Sequence, residues 1–329
     1  MTSYRRIVEY MSTHPWAIQR ETLDGMVELI RFRVEGGHLA EGEIATRLAA
    51  ARAVQGDRRA ESFLSVIPVY GVIMPKANLM TEMSGGTTVD AIRSQFRQAI
   101  ADPEVSRIVF DFDSPGGSVE GIPELAAEIR AARGIKPMTA VANYTMASAA
   151  YWLATQADEI VASPSALVGS IGVYGIHEDM SGANEQMGVK PTYISAGKYK
   201  TEGNPDQPLT DEARAHIQSL VDASYAMFVS DVAAGRGVAQ KAVRDGFAEG
   251  RAVHSEAALS LGMVDSIGTF DDALSAKPPR MRARRQSAED DLVRLAETEQ
   301  ERMAAIAAGV AAAPDIFDFE RERRRRKTA

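Results

Sequence analysis

The chain has 329 residues, a formal net charge of −8 at neutral pH, 45% apolar residues and no cysteine. Those fractions are those of a globular protein and exclude a collagen-like, a disulfide-stapled or a wholly disordered chain. Without cysteine there is no thiolate nucleophile and no cysteine-held zinc or iron–sulfur centre, so a covalent nucleophile has to be serine, threonine, lysine or a carboxylate; the acidic balance speaks against a nucleic-acid binder.

Residues 1–62 read as a polar, helical N-terminal arm. Arg5 and Arg6 are followed by Glu9 rather than by an apolar stretch, so no signal peptide is expected. Phe63–Met74 is β-branched and apolar and reads as a strand, with Pro68 marking an edge strand or a bulge. Thr87–Ile100 carries Val89, Ile92, Phe96 and Ile100 at helical spacing. Val105–Phe112 reads as a strand that runs into Asp113-Ser114-Pro115-Gly116-Gly117, and Val119–Arg133 as a helix. Met138–Ala142 is a strand, and a helix begins near Ala147. Short strands are expected at Ile160-Val161, Ser170–Ile176 and Thr192–Ser195, with a helix between at Glu178–Met187. A polar loop, Ala196–Pro208, leads into a long helix from Thr210 to about Ala234, and Val238–Phe247 and Ser255–Leu261 are further helices. Strands alternating with helices give an α/β class.

The composition shifts after Pro278-Pro279. From Lys277 onward there are 13 Lys and Arg against 10 Asp and Glu, so this tail is net basic while the body before it is strongly acidic. Leu292–Val310 reads as an Ala/Glu-rich helix, and Arg321–Lys327 as a basic terminus of the solvated kind. Met138–Ala157 has no charge over 20 residues, the length of a membrane span. Asn143, Thr145, Ser148, Thr155 and Gln156 are too polar for lipid, so this run marks the buried centre of a non-membrane fold.

Three segments carry possible chemistry. Ser114-Pro-Gly-Gly-Ser118 follows a strand, and its glycines let a ligand approach backbone N–H groups; by itself it is also an ordinary βα turn. Ser148 lies just past a strand among small residues, where room for a carbonyl and a plain N-cap are both open readings. Ser170, in Val168-Gly-Ser-Ile-Gly172, can orient an amine or simply satisfy local backbone. None of the five histidines falls in a triad motif, and there is no Gly-x-Ser-x-Gly elbow. A lysine acts as base only where burial lowers its pKa by about 3 units. Lys198 and Lys200 both stand in Gly197–Pro205, and spacing alone does not choose between them.

Taken in order, Asp113-Ser-Pro-Gly-Gly, Met146-Ala-Ser-Ala-Ala-Tyr151, Ala157-Asp-Glu-Ile-Val-Ala162, Gly169-Ser-Ile-Gly-Val173, Gly197-Lys-Tyr-Lys200, Gly250-Arg251 and Leu261-Gly-Met-Val-Asp265 resemble the protease IV / signal peptide peptidase A family of serine peptidases over residues 63–275. The resemblance implies a ClpP/crotonase-like spiral of ββα units and a homo-oligomeric ring or dome in which serine and lysine can come from neighbouring subunits. It makes Ser148 the nucleophile and Lys200 the general base, with Gly116 and Gly117 at the oxyanion hole and Ser170 supporting the lysine. No metal or cofactor is implied. Ala149-Ala150 stand where the family often has Gly-Gly, which narrows the space beside the serine. Lys200-Thr-Glu-Gly-Asn-Pro205 is similar to the head maturation protease branch of lambdoid phages. The resemblance thus implies a capsid-assembly protease acting on capsid or scaffold proteins in the host cytoplasm or the procapsid, with portal or capsid contacts and no membrane anchor. Nucleic acid would be met only by the basic tail. The rival readings are a signal-peptide-peptidase-like enzyme without an anchor, a crotonase-type acyl-CoA enzyme and an idle scaffold. The expected domains are the arm at 1–62, the peptidase at 63–275 and the charged tail at 276–329.

Overall fold

The computed structural model describes residues 15–34, 64–76 and 86–282. Its strands are β1 (Trp16–Ile18), β2 (Leu64–Tyr70), β3 (Ile73–Met74), β4 (Thr87–Thr88), β5 (Arg107–Ser114), β6 (Gly116–Ser118), β7 (Met138–Ala147), β8 (Glu159–Ala162), β9 (Leu167–Gly169), β10 (Ala252–His254) and β11 (Ser266–Ile267). Its α-helices are α1 (Arg20–Val34), α2 (Val89–Ala101), α3 (Ile122–Ala131), α4 (Ala149–Ala154), α5 (Ser181–Gln186), α6 (Asp211–Arg236), α7 (Gln240–Gly246), α8 (Ser255–Ser260) and α9 (Phe270–Ser275).

The larger sheet runs β10-β9-β7-β5-β2, with β8 also on β7 and β11 on β8. All of its pairings are parallel except β10 on β9. A parallel sheet is covered on both faces, which is why its strands are nearly continuous apolar runs. Ile108, Phe110, Phe112, Met138 and Ala140 face the main core with α2, α3, α4 and α6. Val109, Val141 and Val161 face the other way, onto Phe270 and Ala273 of α9. Pro68 sits in β2, the end strand of this order, as its missing N–H requires. The smaller sheet runs β1-β6-β3-β4.

The two sheets share a repeat. β2 lies in the large sheet, the chain turns at Gly71, and β3 lies in the small one before α2. β5 and β6 repeat the step before α3. This is the ββα unit that the family resemblance implied. Thr88 caps α2 by accepting from Ala91 N–H at 3.1 Å, and Thr210 caps α6 by accepting from Ala213 N–H at 3.2 Å, close to the helix starts expected from sequence.

Several local expectations are corrected. The arm expected to be helical contains a strand, Trp16–Ile18, built fully buried into the small sheet. Ser170–Ile176 is not a strand: β9 ends at Gly169, and the consecutive positive φ values of Gly169 and Ser170 turn the chain, leaving one bridge at Tyr174. Thr192–Ser195 is exposed and irregular. Its β-branched and aromatic composition favours a strand, but among the described residues no neighbouring strand pairs with it. The Glu178–Met187 helix shortens to α5. The expected Leu292–Val310 helix and the basic terminus lie outside the described residues.

A buried guanidinium locks α3, α4 and α6 together. Arg133 donates to the carbonyls of Gln156 (2.8 Å), Thr155 (2.8 Å), Ala157 (2.9 Å) and Gly235 (3.0 Å). Burial, helped by the nearby Arg282 charge, lowers its pKa to about 10, so it stays charged at neutral pH. Arg133→Ala strands four carbonyls and should cost on the order of 3–5 kcal/mol. Urea denaturation reads this directly; a shift under about 1 kcal/mol would mean that the carbonyls find water instead.

Candidate active site

Ser148 is the single residue between the end of β7 and the start of α4, and it is fully buried. Its backbone has φ 55° and ψ −119°, a region that only glycine visits freely. Strain of this kind costs about 1–3 kcal/mol and persists only where the surroundings hold it. Here Ser148 N–H donates to Gly169 O at 2.7 Å, and Trp152 N–H donates to Ser148 O at 2.9 Å. The turn therefore presents the hydroxyl at the end of the parallel sheet. That hydroxyl reaches toward Gly172 O at 3.5 Å, the long contact of a side chain not yet engaged.

The helix behind the serine is anchored hard. Trp152 stacks on Phe228 of α6 with centroids 4.4 Å apart and an 8° tilt. Its indole N–H donates to Asp231 at 2.9 Å, and Arg130 pairs with the same carboxylate at 2.9 Å. Tyr151 donates to Met263 O at 2.8 Å, and burial pushes its phenol well above the ordinary range, so it stays protonated. These contacts fix α4 and hence the position of Ser148.

Both candidate oxyanion glycines lie where no side chain fits. A Cβ on Gly116, at φ +103°, would sit 2.8 Å from Ser148 Cβ and 2.3 Å from Ala17 O. A Cβ on Gly117 would sit 1.8 Å from Ile73 O. Gly116 is thus packed directly against the serine, and Gly117 seats β6 on β3. Gly116 N–H donates to Ser114 Oγ at 3.2 Å, and that hydroxyl donates in turn to Gly71 O at 2.6 Å. Ser170, at φ 55°, is held by its N–H donating to Arg251 O at 2.9 Å.

Lys200 is exposed, and among the described residues no hydrogen bond joins it to Ser148. The other lysine is differently placed. Lys198 Nζ donates to Tyr199 Oη (2.7 Å) and to Glu212 Oε1 (3.1 Å), and these two groups raise its pKa, the reverse of what a base needs. The ordered pair Lys198–Glu212 holds the segment's start; Lys200 carries no such ion pair among the described residues. The flanking chain is apolar yet exposed: Met187, Val189, Tyr193, Tyr199 and Ile194, the last 98% exposed. His177 Nε2 lies 3.1 Å from Asn204 O, tying the loop down rather than serving the serine.

One feature near the serine carries no local signal in the sequence: β1, whose Ala17 carbonyl lies against Gly116. Among the described residues no cluster of His, Asp and Glu could hold a metal ion, and no helix is long and apolar enough to cross a membrane.

Residues 130–280 match the model of Peptidase family S49. The chain is 33% identical over 257 residues to capsid assembly protease C of Escherichia phage lambda, covering 77% of this chain and 58% of that protein. It is 34% identical over 213 residues to Protease 4 of Salmonella typhi, covering 64% and 34%. The chain thus spans little more than half the length of the phage relative and a third of the bacterial one. Among solved structures it is similar to a single-residue mutant of ClpP1 from Listeria monocytogenes, with a TM-score of 0.40, 13% identity, and coverage of 64% of this chain and 94% of that one.

Proposed function

We propose, from the premise that residues 130–280 form a peptidase family S49 domain, that this chain is a serine endopeptidase of phage capsid assembly. The observation that carries the reading is Ser148: a buried serine inside that domain, on a strained strand-to-helix turn, packed against the first glycine of a Gly-Gly pair. The capsid role is favoured by the extent of the likeness, since the lambda capsid assembly protease matches 77% of this chain and the bacterial protease 64%.

In this mechanism the neutral Lys200 amine takes the proton from Ser148 Oγ as the oxygen attacks a peptide carbonyl. N–H groups at Gly116 and Gly117 hold the developing oxyanion, and the Lys200 ammonium returns its proton to the leaving amine. Water, deprotonated by the same lysine, then releases the acyl group and restores the serine. Ser170 orients the amine. A lysine serves as a base only in a dry site, and Lys200 is exposed in the single chain. The exposed apolar stretch around Ile194 supports completion of the dyad when a second copy covers this segment and excludes water. A homo-oligomer is then the active form.

Lys198 discriminates this assignment. Its ion pair with Glu212 is an exposed one, of the kind whose loss changes little. Lys198→Ala should leave peptide hydrolysis within about threefold of the parent, whereas Lys200→Ala should remove it. The reverse pattern would move the base to Lys198. Co-expression with phage capsid and scaffold proteins tests the biological role: the parent should trim one of them and Ser148→Ala should not.

A further inference from the structure

Strand β1 adds to the free edge of β6 in antiparallel register, Trp16 opposite Ser118, Ala17 opposite Gly117 and Ile18 opposite Gly116. Gln19 N–H extends the ladder to Pro115 O at 2.9 Å. On its other side, Trp16 N–H donates to Tyr174 O at 2.8 Å, and Trp16 O accepts from Tyr174 N–H at 3.1 Å. Tyr174 stands two residues past Gly172, the carbonyl that Ser148 Oγ approaches. Three residues from the N-terminal region are therefore clasped between the strand of the Gly-Gly pair and the segment beside the nucleophile. The point where a Gly116 Cβ would lie is 2.3 Å from Ala17 O and 2.8 Å from Ser148 Cβ. An extended peptide held by main-chain hydrogen bonds, with alternate side chains in pockets and a carbonyl beside the serine, is what strand addition to an edge produces.

The side chains follow the same pattern. Trp16 and Ile18 enter a small apolar cluster with Leu23 of α1 and with Val72, Met74, Tyr174 and Ile176, separate from the main core. Ala17 points the other way, toward the main core. Tyr174 Oη is buried in this seat without a hydrogen-bond partner among the described residues, so β1 does not satisfy every group that lines it.

We propose that Trp16–Ile18 occupies the peptidase's own substrate-binding strand position, so that the groove takes extended peptides with large apolar residues at alternate positions and opens only when β1 leaves. This rests on the peptidase reading of Ser148. It makes β1 a tethered competitor, at the millimolar effective concentration typical of intramolecular ligands.

The chain has no cysteine, so one introduced thiol reports one position. Ala17 and Ala258 are both fully buried, the first under β6 and the second in the main core. In full-length Ala17→Cys, thiol reaction with a disulfide reagent is timed alone and with several-millimolar octapeptide of the sequence Thr13–Arg20. The reaction should accelerate at least tenfold with peptide, and also without peptide when Trp16→Ala is added, while Ala258→Cys stays unreactive throughout. Unchanged reactivity at Ala17→Cys, or equal acceleration at Ala258→Cys, overturns the proposal. Fluorophosphonate labelling of Ser148 in the same samples reads the peptidase assignment separately. A labelled serine with a thiol that peptide never exposes sinks only the strand occupancy. An unlabelled serine with a peptide-exposed thiol sinks only the peptidase reading.

Discussion

Ser148→Ala should bring peptide hydrolysis down to background, a fall of about 10⁴-fold or more in kcat. No other group in the site replaces its oxygen: the neighbouring Ala147, Ala149 and Ala150 carry no nucleophile, and Ser170 is held on a separate turn by Arg251 O. Lys200→Ala should fall nearly as far, and the double variant no further, because nucleophile and base act as one unit. The substitution at Ser148 also replaces a residue at φ 55° by another with a Cβ, so it adds little new strain and the fold should persist. Retained circular dichroism with lost turnover is the expected pair of readings. Residual activity above about 1% in Ser148→Ala would place the nucleophile elsewhere.

Gly117→Ala should damage both stability and activity. Its new methyl would meet Ile73 O at 1.8 Å, Ile73 C at 2.6 Å and Ile73 N at 2.7 Å. These are backbone atoms of the neighbouring strand, so no side chain can swing away to relieve them. β6 would have to lift from β3, which carries Gly116 off the serine and loosens β1 on the far side. Overpacking of a close backbone contact costs about 3 kcal/mol or more, and misplacing oxyanion donors costs about 10²–10³ in kcat. Urea midpoint and steady-state kinetics on the same preparation check both losses. A variant with parental midpoint and kcat would show that the β6–β3 contact does not position the site.

Much of this architecture is legible in the sequence because it follows from local signals. The apolar runs of β5 and β7 announce a sheet buried on both faces, Pro68 announces an edge, and the threonines at 88 and 210 announce helix starts. Ser148 and the Gly-Gly pair lie 32 and 31 residues apart in the chain, yet Gly116 packs against the serine, a proximity that motif order conveys and periodicity does not. What is not legible depends on remote pairing. Trp16-Ala-Ile is too short to alternate visibly, and its partner is about 100 residues away. Ser170–Ile176 has strand composition, but the turn at Gly169 and Ser170 is a positive-φ event that composition hides when one of the two residues is serine. Thr192–Ser195 has the residues of a strand with nothing among the described residues to pair with, and Lys200, the base that motif order proposes, is exposed.

The most direct test of the central claim is intact-mass analysis after fluorophosphonate treatment, with peptide mapping of the adduct, on the parent and on Lys200→Ala. The account predicts one adduct per chain, on Ser148, forming about 100-fold or more slower in Lys200→Ala at neutral pH. An adduct on another residue, or an equal rate on Ser148 without Lys200, would contradict it.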